Sequence, residues 1–341
     1  MTIDENKYLE WENWKKENSG AINHYHFDLE PGRGYLYANS SDVTLTFIGT
    51  PYNGDGMVTL SYSDGNPDDN MHGWNLIGNP FSTAATFNDK AFYKMNPENH
   101  SELIPADNTS VEAMEGIFVH ADYDGENVTF TTRAKRATDS SEEHIVINLS
   151  DNDGVVIDRA IVRFGEGETL PKFQIRDNST KLYIPQNGKE YAIACVGTNE
   201  VPINFKANED GTYTITVNPE SVEMNYLHLI DNMTGADIDL LASPSYTFTT
   251  KTTDYESRFK LVFAPVCEDA DGDNEAFAFI SNGNIIVNGN GTLQVIDIMG
   301  RVVVTRGGRI QCVPTSGMTP GVYVLRLIDG DVVQTQKIII D

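Results

Sequence analysis

The chain has 341 residues, a formal net charge of −26 and a hydrophobic content of 40%. This length predicts two or three domains, and an aromatic content of 10% is too high for a disordered chain. Nucleic-acid binding requires clustered Lys and Arg, so the acidic balance excludes it. No apolar window has the length of a transmembrane helix. The three cysteines Cys195, Cys267 and Cys312 are far apart and predict neither a disulfide framework nor a paired-cysteine metal site.

The N-terminal segment "DENKYLEWENWKKEN" predicts the one short helix of the chain. Tyr8, Trp11 and Trp14 recur at every third residue and therefore lie on one side of that helix. We favour packing of this side on a sheet; the alternative is an exposed aromatic binding platform. The segment lacks the basic stretch and apolar core of a signal peptide. The chain is thus expected to be either cytoplasmic or a piece of a longer secreted precursor.

Residues 1–136 predict a β-sandwich module with an internal hairpin repeat. The stretch from Gly34 to Phe47 resembles that from Gly116 to Phe130, since each has a Gly, an alternating strand, a polar turn and a Val-Thr strand ending in Phe. Trp74 lies between them in "HGWNLIGNPF", with Ile77 on the opposite pleat of the strand. We favour a core or hairpin-closing role for Trp74; the alternative is a flat indole surface that binds a sugar ring.

Residues 140–265 predict an immunoglobulin-like β-sandwich. The preceding "ATDSSEE" has no apolar residue larger than alanine and is the predicted linker. Strand candidates then follow one another with turn signals roughly every 8–12 residues, which is typical of such a sandwich. Within it, Cys195 in "YAIACVG" is predicted to be a small buried apolar residue and not a catalytic thiol.

Residues 277–341 predict a third, minimal sandwich of short strands. They hold five basic and four acidic residues, a net of +1, whereas residues 1–276 hold 19 basic and 46 acidic residues, a net of −27. That step in charge indicates a domain boundary. Tight hairpins are predicted at Asn282-Gly283, Asn288-Gly289, Asn290-Gly291 and Asp329-Gly330. The predicted fold class is therefore all-β, with three consecutive β-sandwich domains of jelly-roll or immunoglobulin-like type and one short N-terminal helix.

The nearest approach to a metal motif is "EDADGDNE", between the second and third units. Asp269, Asp271 and Asp273 follow the first, third and fifth positions of a calcium loop, but the turn glycine and the bidentate Glu of such a loop are missing. A solvated acidic linker is favoured over weak calcium binding. His24 and His26 would share one face of a strand, but no third metal ligand can be identified.

No catalytic residues are predicted. The sequence has no nucleophile elbow, no phosphate-binding glycine loop and no recognisable pair of catalytic carboxylates, so we expect neither an enzyme nor a cofactor.

The last unit resembles the C-terminal sorting domain of proteins exported by the type IX secretion system of the Bacteroidetes. The resemblance rests on "VIDIMGRVV", "PGVYVLRL" and "DGDVVQTQKIII". The family pattern is a strand with D-x-x-G-R, a turn and strand, a Gly-centred hairpin and a final strand that bears Lys. The residues in these places are Asp297, Gly300, Arg301, Pro320, Gly321, Tyr323, Arg326, Gly330 and Lys337.

The resemblance implies a signal that the export machinery recognises, on a protein that is secreted or attached to the cell surface. "PGRGYLYAN", "GWNLIGNPF" and "AMEGIFV" look like repeats that precede this tail in large Bacteroidetes surface proteins, and "LHLIDNMTG" resembles an immunoglobulin-like module that follows them. We therefore predict the stalk and sorting region of a longer precursor, with a possible contribution to adhesion through a glycan or a host-surface protein.

Two rival functions remain open. A carbohydrate-binding module would stack sugars on Trp11, Trp14, Trp74, Tyr35 and Tyr37, and it needs these rings exposed in one patch. A hydrolase with an unrecognised site would need a deep pocket with perturbed carboxylates.

Overall fold

The computed structural model describes residues 29–36, 44, 46, 48–62, 71–100, 102–132, 143–165, 167–175, 179–265, 277–281, 283–330 and 332–340. This described part is all-β, in agreement with the predicted fold class. The predicted N-terminal helix, with Trp11 and Trp14, lies outside it, as do His24, His26, Tyr37 and the acidic stretch with Asp269, Asp271 and Asp273. No helix among the described residues is long and apolar enough to cross a membrane.

The first unit is a sandwich of two four-stranded sheets. One sheet has the order β1-β8-β3-β6 and the other the order β2-β7-β4-β5. Between them lies a core that includes Phe87, Ile117 and Phe130, each fully buried. The strands are β1 (Met57–Thr59), β2 (Trp74–Gly78), β3 (Ala85–Phe87), β4 (Phe92–Met95), β5 (Leu103–Pro105), β6 (Ser110–Val111), β7 (Gly116–His120) and β8 (Asn127–Thr131).

The stretch Gly116 to Phe130 contains two strands as predicted, but they do not form a hairpin. β7 pairs with β2 and β4, whereas β8 pairs with β1 and β3 in the other sheet. Ile117 and Val128 bury against the same core from opposite layers, so the chain arches across the sandwich between them. The sequence pattern of two half-buried strands is the same for a hairpin and for such an arch, because only the partner strands differ. The first copy of the repeat lies largely outside the described residues.

The second unit has eleven strands, ten of which form one continuous path that folds back on itself. Its order is β17-β16-β19-β14-β12-β13-β10-β9-β15-β18, with β11 beside β13. Ile147 on β9 and Leu229 on β16 lie far apart in this order yet share one core, so the path forms two facing layers. The strands are β9 (His144–Ser150), β10 (Val156–Phe164), β11 (Leu170–Pro171), β12 (Lys181–Gln186), β13 (Lys189–Val196), β14 (Glu200–Lys206), β15 (Gly211–Glu220), β16 (Met224–Asp231), β17 (Ala236–Asp239), β18 (Ser245–Thr250) and β19 (Phe259–Pro265).

Two buried ion pairs lie in the second unit. Lys172 Nζ is 2.6 Å from both carboxylate oxygens of Asp158, and both side chains are almost completely buried. Burial raises the pKa of Asp158 and lowers that of Lys172. In the second pair, Arg258 donates from Nε and Nη2 to Asp231 over 3.1 and 2.8 Å. Burial acts to raise the pKa of Asp231, but the hydrogen bonds from Arg258 and the backbone outweigh it and lower that pKa.

The third unit consists of five strands around its own core. β21 is central, because it pairs with β20, β22 and β23, and β24 follows beside β23. The core includes Ile285, Leu293, Val295 and Leu325, all fully buried. The strands are β20 (Ala278–Ser281), β21 (Asn284–Asp297), β22 (Val302–Pro314), β23 (Gly321–Asp329) and β24 (Val332–Ile340).

Two of the predicted hairpins are found and two are not. Gly283 (φ +72°) and Gly330 (φ +57°) lie in the tight turns between β20 and β21 and between β23 and β24, as expected. Gly289 and Gly291 lie instead inside β21, at a register shift in its pairing with β22. A Cβ atom on Gly291 would stand 2.2 Å from the Ile328 carbonyl oxygen. These glycines therefore permit a close approach of β21 to β23. Their role depends on which strands pair, and the local sequence does not show that.

Candidate functional site

The turn between β21 and β22 is built by the first predicted sorting motif. Asp297 Oδ1 accepts hydrogen bonds from the backbone N–H groups of Met299 and Arg301 over 2.9 and 3.0 Å. Its Oδ2 accepts from Arg301 Nε over 2.8 Å and forms an ion pair with Nη2 at 2.7 Å. The backbone N–H of Arg301 is the main cause that lowers the pKa of Asp297. Gly300 adopts φ +79°, a conformation that favours glycine. Asp297, Gly300 and Arg301 thus act together as a turn clamp.

The remaining motif residues lie on the last two strands. Tyr323 is buried, and its hydroxyl donates to the Thr319 carbonyl oxygen over 2.8 Å, which fixes the entry to β23. Pro320 and Gly321 form that entry, and Gly330 forms the turn that follows β23. Arg326 and Lys337 are exposed on the outer face of the sheet, where Lys337 lies opposite Val324. Tyr323 and the glycines therefore shape the unit, whereas the two basic side chains remain available to solvent.

β24 is an edge strand of regular geometry. It pairs with β23 over nine residue pairs without a register shift, from Gly321 with Ile340 to Asp329 with Val332. In the described residues no strand pairs with its other side. Ile338 and Ile340 anchor the strand in the core, while Val332, Val333 and Ile339 are exposed. β24 bears Lys337, as expected of the final strand of the family pattern.

The other edge of this layer is less open to a partner strand. β22 pairs with β21 through two register shifts, one of them at Val302, and it carries Arg306 on its exposed surface. Bulges and basic side chains are features that discourage pairing with a further strand. β24 has no bulge and no proline, and its one charged side chain is Lys337. Compared with β22, β24 is the better template for strand addition.

One contact at this site could not be foreseen from the sequence. The side-chain amide of Gln336 bonds both backbone groups of Ala278: Oε1 accepts from the Ala278 N–H over 2.8 Å and Nε2 donates to its carbonyl oxygen over 2.5 Å. This side-chain contact joins β24 to β20 without backbone pairing between the two strands. The two residues are 58 positions apart, and no local motif signals their pairing.

Of the residues predicted as ligand-binding or metal-binding sites, Trp74 lies in the described part of the chain. Trp74 is only 5% exposed, stacks on Phe173 at 4.4 Å and meets Tyr93 edge-on. Its ring is therefore packed among aromatic side chains of the core, the role that the sequence favoured; Ile77 points to the other side of the strand, as predicted. Trp11 and Trp14 lie outside the described residues, as do Asp269, Asp271 and Asp273. Within the described part of the chain, no cluster of three metal-ligating side chains is found.

The C-terminal unit is thus a small β-domain that offers one regular edge strand and places its motif residues in turns and on its last two strands. Residues 279–341 match the family model described as secretion system C-terminal sorting domain, which is the tail of type IX secretion. The match covers less than a fifth of the chain and confirms the resemblance seen in the sequence. It indicates export and a secreted or cell-surface location. No curated protein and no solved structure matches the chain.

Proposed function

We propose that the chain is the non-catalytic stalk and sorting region of a larger cell-surface protein, and that the export machinery binds it by adding a strand to β24. The observation that carries the proposal is the regular, unpaired side of β24, in a unit that matches a sorting domain. Strand addition gives affinity through main-chain hydrogen bonds, and the exposed side chains on alternate positions give specificity.

The first two units support the role of a stalk. Asp158 and Lys172, two almost completely buried ionisable groups whose pKa values burial shifts, are bonded to each other inside a packed core. Catalytic groups with perturbed pKa values lie in clefts where substrate reaches them. A paired and buried group of this kind serves structure, so these units are better suited to carry a head domain than to perform chemistry.

Binding of carbohydrate by the first unit is the weaker proposal, since its strongest candidate side chain, Trp74, is buried. A glycan array probed with the full chain tests it directly. Specific binding of a defined glycan would restore this function beside the sorting role.

The sorting role is tested by deletion of residues 277–341 in a bacterium that has the type IX system. We expect the shortened protein to accumulate inside the cell and to disappear from the surface. Protease resistance of the first two units serves as the control, because it shows that the retained precursor is still folded. Undiminished surface display of the folded, shortened protein would refute the sorting function.

A further inference from the structure

Exposed apolar side chains are concentrated in the sorting unit. Of the seventeen large apolar side chains that are exposed in the described residues, nine lie beyond residue 277. Single exposed apolar residues are normal on a protein surface, but contiguous groups mark binding sites. The nine are Ile280, Ile298, Met299, Val302, Val303, Val324, Val332, Val333 and Ile339.

The most exposed of them lie at the tip of the turn clamp. Ile298 is 80% exposed and Met299 is 76% exposed. The clamp itself is made by Asp297, Gly300 and Arg301, so the two intervening positions carry no bond that the fold needs through their side chains. Turn positions of this kind usually hold polar residues such as Asn, Asp or Ser. The fold therefore does not explain why Ile and Met occupy them.

The apolar surface continues from the tip onto the outer face of the sheet. Val302 and Val324 both lie opposite Ile296, and Ile339 lies on the same face of the neighbouring strand. Val302, Val324 and Ile339 are 49%, 40% and 60% exposed. We call the surface formed by Ile298, Met299, Val302, Val324 and Ile339 the tip patch.

Basic side chains border the tip patch. Arg301 is 75% exposed beside the turn, and Lys337 and Arg326 are exposed on the same outer face. The one carboxylate at the turn, Asp297, is only 13% exposed and is already paired with Arg301. A surface that is apolar at its centre and basic at its rim is complementary to an apolar pocket with an acidic rim.

We propose that the tip patch is a second recognition surface of the sorting unit, in which Ile298 and Met299 enter an apolar, acid-rimmed pocket on a protein of the export machinery. This proposal rests on the sorting function proposed above and adds a contact that is separate from the β24 edge. The turn clamp then has a positioning role: it holds the two apolar side chains away from the sheet so that they can be inserted.

A membrane surface is the competing occupant of an apolar patch with basic neighbours. The charge of the whole chain favours a protein, because residues 1–276 carry a net charge of −27 and are repelled by anionic lipid. The patch itself also presents only two side chains at its tip, much less apolar area than an interfacial helix offers.

The test uses the full chain with the double substitution I298T/M299N, which replaces the apolar pair by residues that suit a turn. Because two apolar side chains lose their buried site in the pocket, we expect surface display to fall by about tenfold or more. The melting temperature should be unchanged, since both side chains are exposed. The matched control is Met57→Thr with Tyr123→Ser, two side chains of the first unit that are 54% and 61% exposed; this variant should be displayed like the wild type.

Two further arms separate the possible causes. M299E should be displayed less than M299K, because the acidic rim of the pocket repels a carboxylate. Equal display of the two variants would refute the acidic rim. Flotation of the full chain with phosphatidylglycerol vesicles should show no binding; binding that I298T/M299N abolishes would assign the patch to a membrane and overturn the protein pocket. If deletion of residues 277–341 blocks display but I298T/M299N is displayed like the wild type, the tip patch fails while the sorting function stands.

Discussion

The two junctions between the three units are built differently. At the first, the outer face of the β2-β7-β4-β5 sheet packs on the second unit through a cluster that includes Trp74, Tyr93 and Phe173. The Tyr93 hydroxyl also donates to the Pro171 carbonyl oxygen and accepts from the Phe173 N–H, over 3.1 and 3.0 Å. At the second junction a smaller apolar cluster joins the second unit to the sorting unit; it comprises Tyr226, Ile230, Val262, Ala264, Phe279 and Ile286.

Further polar contacts strengthen the first junction. Asn96 Nδ2 donates to the Val156 carbonyl oxygen over 2.6 Å, and Glu98 accepts from the Val156 N–H over 3.0 Å. Arg159 reaches across to Asp107 at 3.1 Å. Directional bonds combined with stacked rings fix one orientation, whereas apolar contact alone is less specific. We therefore expect the first two units to behave as one stiff body and the sorting unit to separate from them more easily.

The largest expected effect comes from the buried pair beneath the first junction. Asp158→Ala leaves the Lys172 ammonium buried without its carboxylate, and we expect a loss of about 3–5 kcal/mol in the free energy of unfolding, measured in urea. Glu190→Ala, which removes the partner of Lys181 in a more exposed pair, should cost less than about 1 kcal/mol. The double variant D158L/K172M should recover most of the loss; a double variant as unstable as Asp158→Ala would contradict this account.

A direct comparison of the junctions replaces one aromatic residue in each. Phe173→Ala removes the ring that stacks on Trp74 and should cost about 3–5 kcal/mol. Phe279→Ala removes a partly exposed ring at the second junction and should cost about 1–2 kcal/mol. In calorimetry, Phe173→Ala should also split the shared transition of the first two units into two. Equal losses at both sites would remove the distinction between a stiff and a separable junction.

The Arg258–Asp231 pair makes the second unit sensitive to acid. The pKa of Asp231 is lowered in the folded chain, so this pair contributes stability above the ordinary Asp pKa of about 3.9 and loses it as the pH falls through the lower folded value. We expect the melting temperature of the wild type to fall as the pH is lowered from about 5 to about 2. It is measured at intervals of about one pH unit. Asp231→Asn should be less stable at neutral pH and should show a flatter profile. Asp153→Asn, at an exposed turn, should keep the wild-type profile.

The smallest effect is expected at the seam between β24 and β20. Gln336→Leu removes two hydrogen bonds to Ala278 and should cost about 1 kcal/mol. The amide hydrogen of Ala278 should then exchange faster with solvent. Gln334→Leu, on an exposed position of the same strand, serves as the matched control and should leave that exchange rate unchanged. A protected Ala278 amide in the Gln336 variant would show that the side chain does not close the seam.

Local patterns in the sequence predicted the parts of the fold that depend on near neighbours. The all-β class, the turns at Gly283 and Gly330 and the limits of β24 follow from alternation and from residues that allow positive φ. The places of Asp297 and Arg301 were also predicted, because the motif that contains them spans only five residues.

What the sequence could not provide depends on distant partners. Whether β7 and β8 form a hairpin or an arch is decided by β2, β4, β1 and β3, which local alternation does not identify. The contact of Gln336 with Ala278 and the stacking of Trp74 on Phe173 likewise join residues far apart in the chain. The exposure of Ile298 and Met299 could have been predicted, because the sequence places these apolar residues at turn positions inside a motif.

The unlike edges of the sorting unit also set how many copies can associate through strands. A sheet with two regular open edges can add a molecule on each side and grow into a fibre, as heterologous contacts do when they do not close. Here β24 is regular, whereas β22 is bulged and basic. A single strand that binds β24 therefore occupies this regular edge, and β22 offers no equally regular site for a further copy. An exported protein can in this way carry a strand that is open to a receptor without growing into a fibre.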